Sequence, residues 1–126
     1  MIKLDYEILT AWDLAVYAAE VRRRQREYFR TRDKNLLAEC VGWEQRLDQE
    51  IFRILSMGRH GSLTELAVSV AQVRSAQVEY FRTRTRDALM ASKDLEKSID
   101  SILTMMLKSI LVTNQQIEMW NEKGGA

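Results

Sequence analysis

The chain has 126 residues with no proline, five glycines, 46% hydrophobic and 29% charged residues, and a formal net charge of +1. That composition points to an all-helical protein long enough for a real core and argues against a strand-rich or disordered one. The single Cys40 excludes an internal disulfide and a zinc site built on paired cysteines, and near-zero charge leaves any attraction for nucleic acid to local clusters.

From Leu4 to about Phe29 nothing breaks a helix, and Leu14, Ala18, Val21, Gln25 and Tyr28 step by four and three along one face. Ile8, Leu9, Trp12 and Val16 add an apolar flank. Thr31, Arg32 and Asp33 predict a break, with the arginines suiting a helix C-terminus and Asp33 an N-cap. A second helix from about Lys34 to Ser56 carries Leu37, Cys40, Glu44, Leu47, Ile51 and Ile54 on its seam. The strong turn lies at 58–61, where Gly58 and Gly61 flank Arg59 and His60, and Ser62 with Glu65 has capping-box spacing. A third helix, about Leu63 to Arg82, shows Leu66, Val70, Val73, Gln77 and Tyr80. A fourth, capped by Thr85, meets no breaker before Gly124 and keeps a seam through Leu89, Ile99, Leu103, Met106, Ile110, Ile117 and Trp120.

The chain repeats itself. Residues 14–55 align with 66–107 at a constant offset of 52 without a gap, and 17 of the 42 positions are identical. The longest shared run is Glu27-Tyr28-Phe29-Arg30-Thr31-Arg32 against Glu79-Tyr80-Phe81-Arg82-Thr83-Arg84. A helical hairpin cannot cover its own apolar face, so two copies should cover each other as one domain over 1–126, an antiparallel four-helix bundle. Ala15 and Ala19, repeated as Ala67 and Ala71, imply that the first and third helices touch near a pseudo-twofold axis. The early turns of the first helix and the extension of the fourth over 108–122 should pack together, setting Leu4, Ile8, Leu9 and Trp12 against Ile110, Ile117 and Trp120.

Pairing each hairpin about its tip predicts ion pairs Arg22 with Glu44 and Arg74 with Glu96, joined to Gln25 and Gln77 as a structural polar core. A sharper reading groups Glu44, Asp48, Glu96 and Asp100 as a Mg²⁺ or Mn²⁺ site for nucleotide hydrolysis; the arginines oppose it, and no catalytic, metal or cofactor site is expected. Both tips should lie at one end, presenting Arg30, Arg32, Lys34, Arg82, Arg84 and Arg86 to phosphate or a partner, or else serving helix dipoles while the aromatics plug the bundle's end. His60 is expected to be exposed and Cys40 to be a small core residue. On the fourth helix Ile102, Met105 and Val112, with Leu107 and Leu111, leave two readings open: a second chain docks there, or this is the central helix of the monomer.

The run Gln77-Val78-Glu79-Tyr80-Phe81-Arg82-Thr83-Arg84, with Ala88-Leu89, Ser92-Lys93, Leu95-Glu96-Lys97 and Asp100, resembles a group of very short helical-hairpin proteins of gut bacteria and their phages or mobile elements. The first copy departs from the pattern at Cys40-Val41 and Trp43. The resemblance implies two fused hairpins, single-hairpin relatives that dimerise, and no particular activity. Asp5 and Glu7 interrupt the first apolar stretch, unlike a signal peptide, and Asp100 and Lys108 interrupt the run Ile99 to Thr113, which is shorter than the roughly 20 residues of a membrane span. The expectation is therefore a cytoplasmic, non-enzymatic protein-interaction or scaffold module, with no membrane role and a homodimer through the fourth helix as one option. The alternative is a nucleic-acid-associated accessory protein that uses the arginine-rich tip.

Overall fold

A computed structural model describes Ile8 and residues 10–122, with side chains described up to Lys108. Four helices follow in order: α1 (Ala11–Thr31), α2 (Lys34–Ser56), α3 (Ser62–Thr83) and α4 (Arg86–Glu122). The break at residues 32–33 is present, and Asp33 accepts backbone N–H bonds from Asn35 and Leu36 as the N-cap of α2. Thr85 caps α4 through the Ala88 N–H at 3.2 Å.

Two helix starts differ from the sequence expectation. α1 begins at Ala11 because Thr10 and Asp13 form a reciprocal capping box: the Asp13 N–H donates to Thr10 Oγ1 at 3.1 Å and the Thr10 N–H to Asp13 Oδ2 at 3.2 Å. Ile8 therefore lies outside the helix, although its side chain is buried. For α3, Gly61 at φ 133 is the N-cap with no side-chain bond to it; Ser62 is already helical, so the box expected with Glu65 does not form. The turn is fixed instead by Gly58, at φ 64, and by the Thr64 hydroxyl donating to the Arg59 carbonyl at 2.8 Å.

The packing is rhombic. α1 and α3 touch along the short diagonal, α2 and α4 flank them, and among the described residues α2 and α4 do not meet. Ala15 and Ala67, fully buried, with Ala19 and Ala71 beside them, allow the α1–α3 approach, as the repeat implies. The reading of α4 as the central helix is thus corrected: the fourth helix is peripheral, and the paired small residues place the first and third at the centre. The apolar core joins Leu14, Tyr17, Val21, Leu47, Ile54, Val70, Val73, Ile99 and Leu103. Tyr17, off the expected seam, is buried against Trp43 with ring centroids 5.1 Å apart, and its hydroxyl donates to the Trp43 carbonyl at 3.2 Å.

The N-terminal end is held by a clasp. Glu50 accepts the Ile8 N–H at 3.0 Å, and Arg53 donates to the Ile8 carbonyl at 2.7 Å and to Glu50 at 3.1 Å. The expected packing partners Leu4, Leu9, Ile110, Ile117 and Trp120 lie outside the residues whose side chains are described. Among the described residues no helix is long and apolar enough to cross a membrane.

Candidate functional site

The polar groups concentrate in two places, a ring at the bundle's waist and the two hairpin tips. At the waist, Gln25 and Gln77 face each other across the α1–α3 contact, and each Nε2 donates to the other's Oε1 at 3.1 Å. Gln25 Nε2 also donates to Glu44 at 2.6 Å, and Gln77 Nε2 to Glu96 at 2.7 Å. Arg22 and Arg74 donate to the Oε1 atoms of Gln25 and Gln77 at 2.5 Å. Each buried amide thus makes all four of its hydrogen bonds. No buried side-chain polar atom among the described residues lacks a partner.

The ion pairs are exchanged relative to expectation. Arg22 donates to both oxygens of Asp100, at 2.8 and 3.0 Å, and lies 3.5 Å from Glu96. Arg74 does the same with Asp48, at 2.8 and 3.1 Å, and lies 3.3 Å from Glu44. Each arginine pairs with the other repeat. At about 100° per residue, Arg22 sits some 60° to one side of Gln25 and Arg24 about 100° to the other. Arg22 therefore faces α4, while Arg24 faces α2, where it meets Glu39 at 3.0 Å and stacks 4.4 Å over Trp43. Arg26, on the α4 side, adds a contact to Asp100 at 3.3 Å.

This geometry divides the four carboxylates that the sharper metal-site reading groups. Glu44 and Asp48 serve Arg74, and Glu96 and Asp100 serve Arg22. Among the described residues no group of three or more His, Cys, Asp or Glu side chains is placed to hold a metal ion. Burial opposes the charge on each arginine, but the hydrogen bonds it donates to Asp100 or Asp48 and the charge of Glu96 or Glu44 outweigh it and raise both pKa values. Cys40 and Ser92 occupy equivalent buried positions beside Glu44 and Glu96. Burial first, then the charge of Glu44 and a hydrogen bond to it, pushes the Cys40 thiol up to about 12.

The tips repeat one another closely. Arg32 and Arg84 end α1 and α3 in the left-handed region, at φ 57 and φ 55, each with its N–H donating to the Tyr28 or Tyr80 carbonyl at 2.6 Å. A non-glycine residue there costs roughly 1–2 kcal/mol. Each guanidinium then folds over two rings, Arg32 at 5.6 Å from Tyr28 and 5.0 Å from Phe29, Arg84 at 5.5 Å from Tyr80 and 4.9 Å from Phe81. Such stacking returns about 0.5–1 kcal/mol at an exposed site. The Thr31 and Thr83 hydroxyls donate to the Glu27 and Glu79 carbonyls, while Arg30 and Arg82 pair with the Glu27 and Glu79 carboxylates.

Of the aromatics offered as a plug for the bundle's end, Tyr28 and Tyr80 are half-buried, while Phe29 and Phe81 remain 47% and 49% exposed. Lys34 and Arg86 are exposed and form no ion pair among the described residues. Both tips stand at one end: α1 and α3 meet at Gln25 and Gln77, and each tip lies seven residues onward, about 10 Å along the helix axis. His60 is exposed in its turn. On α4, Ile102 and Met105 are exposed, Met105 at 74%, and Val112 lies beyond the described side chains. Sequence reasoning missed Phe52, on α2 and 75% exposed, because its repeat partner is Thr104 and it belongs to no shared stripe. Comparisons with protein-family models, curated proteins and solved structures give no match to this chain.

Proposed function

We propose that this protein is a non-enzymatic helical interaction module whose bundle carries docking surfaces, and that α4 is the surface on which a second copy of the chain docks. The observation that carries this reading is the pairing of Ile102 and Met105, three residues apart on the outer face of α4 and both exposed. At 37 residues α4 exceeds the next longest helix, α2, by 14. Ile102 and Met105 make an exposed apolar spot on it, and methionine suits that spot to an adaptable contact. The waist network supports the same reading, because its amides make all four of their hydrogen bonds inside the bundle and its arginines pair with carboxylates of the other repeat.

The test is multi-angle light scattering of wild type beside Ile102→Glu/Met105→Glu. The expected result is a wild-type mass of twice 14.7 kDa that falls to 14.7 kDa in the variant with helical content unchanged. A wild type that stays at 14.7 kDa over a wide concentration range would remove the self-docking reading.

A further inference from the structure

The repeat provides an internal comparison, since the two copies share a fold and differ at many surface positions. Most identities between them have a packing or waist-network explanation: Leu14, Ala15, Val21 and Gln25 are buried in both copies, and Arg22, Glu44 and Asp48 belong to the network with their partners 52 residues on. The identical pairs exposed in both copies are Phe29 with Phe81, Arg30 with Arg82, and Arg32 with Arg84. All three lie at the tips. Surface positions one to two turns before Phe29 and Phe81 differ, as Arg26 with Val78 and Arg23 with Ser75 show.

Local structure does not require these residues. A glycine at position 32 or 84 would end the helix in the same left-handed turn without strain, and a smaller side chain in place of Phe29 or Phe81 would expose less apolar surface. What the tips gain is a flat cation laid on aromatic rings, built twice at one end of the molecule. A guanidinium stacked in this way keeps its outer face for a nucleobase and its edge N–H groups for a phosphate. Lys34 and Arg86 follow each stack and supply further positive charge.

We propose that the two tips form one bivalent docking surface for single-stranded nucleic acid, with Arg32 and Arg84 contacting phosphates and the stacks they make with Phe29 and Phe81 serving as platforms for bases. Two modest sites reinforce each other because one strand engages both. This surface lies apart from the α4 face, so either assignment stands without the other.

Fluorescence anisotropy with a labelled mixed-sequence single-stranded oligonucleotide tests the proposal. Four phosphate contacts through Arg32, Lys34, Arg84 and Arg86 predict a loss of about 50-fold in affinity between about 50 and 200 mM salt. Arg32→Gly/Arg84→Gly, which relieves the strained turns and should fold, is expected to bind at least about tenfold more weakly at low salt and to lose only about 7-fold across the same range. Phe29→Leu/Phe81→Leu should weaken the oligonucleotide and leave any binding of inorganic polyphosphate unchanged. No binding at low salt, or binding that the glycine variant retains in full, overturns the proposal. Equal binding of polyphosphate and oligonucleotide, insensitive to the phenylalanine substitutions, reduces the tip to a general anion surface and overturns the base-stacking assignment.

Discussion

A double-mutant cycle on Arg22 tests the exchange of ion pairs between repeats, on which the architecture turns. The within-hairpin pairing predicts coupling of Arg22 to Glu44, whereas the structure gives Arg22 a two-point contact with Asp100 at 2.8 and 3.0 Å. Arg22→Met keeps the aliphatic stem but removes the two-point partner of Asp100, the cation beside Glu96 and a donor to Gln25. Breaking a fully buried pair costs about 3–5 kcal/mol, but Asp100 is about one-third exposed and keeps Arg26, so about 2 kcal/mol is expected here. Asp100→Asn should cost less, about 1 kcal/mol, because the amide still accepts one of the two hydrogen bonds. The double mutant should then recover about 1 kcal/mol relative to the sum, while the cycle of Arg22→Met with Glu44→Gln should close to within about 0.5 kcal/mol. Urea unfolding followed by circular dichroism reads these energies, and thermal melts should show a drop of about 5–10 °C for Arg22→Met. A larger coupling of Arg22 to Glu44 than to Asp100 would refute the exchanged arrangement and with it the rhombic packing.

Two further outcomes concern titrating groups. Burial acts to raise the Glu50 carboxyl, but hydrogen bonds from Arg53 and the Ile8 N–H, with the charges of Arg53 and Arg46, lower it overall. Its stabilising contribution is therefore present above the unfolded pKa of about 4.3 and is lost as pH falls through the lower folded value. Glu50→Gln should reduce stability at neutral pH and flatten the acid limb of a stability profile, and an unchanged limb would remove the Ile8 clasp as its source. The Cys40 thiol, pushed up to about 12, stays protonated in the native state near pH 8. Reaction with Ellman's reagent should be at least about 10²-fold slower in native than in unfolded protein, and rates within a factor of ten would contradict its burial beside Glu44.

The repeat made the hairpins legible, because a constant offset of 52 residues aligns both seams and both tip sequences at once. Ala15 and Ala67 even foretold that the first and third helices touch. The partners of Arg22 were not legible for the same reason: duplication makes Glu44 and Glu96 equivalent, so the seam assigns each a depth without saying which lies nearer. Only the placement of α4 beside α1, on the side of Gln25 that carries Arg22 and Arg26, decides between them. The left-handed Arg32 and Arg84 also gave no signal, since that turn is ordinarily marked by glycine or asparagine. Thr10 with Asp13 was a readable cap, overlooked because apolar periodicity continues through it.

The exchanged pairs bear on what joins the two halves of the bundle. In a dimer of identical hairpins, Arg22 and Gln25 of one copy meet the carboxylates and Gln25 of the other, the relation that Arg22 and Gln25 hold here to Glu96, Asp100 and Gln77. Joining two such hairpins in one chain would leave that network intact, because every polar contact across the axis would already be made between copies. A hairpin whose arginine satisfied its own glutamate would gain only the amide pair from a partner; this one lacks its ion pairs when alone. The polar waist therefore specifies the pairing of the two halves and their register, and the apolar seams above and below it supply the burial that stabilises the pair.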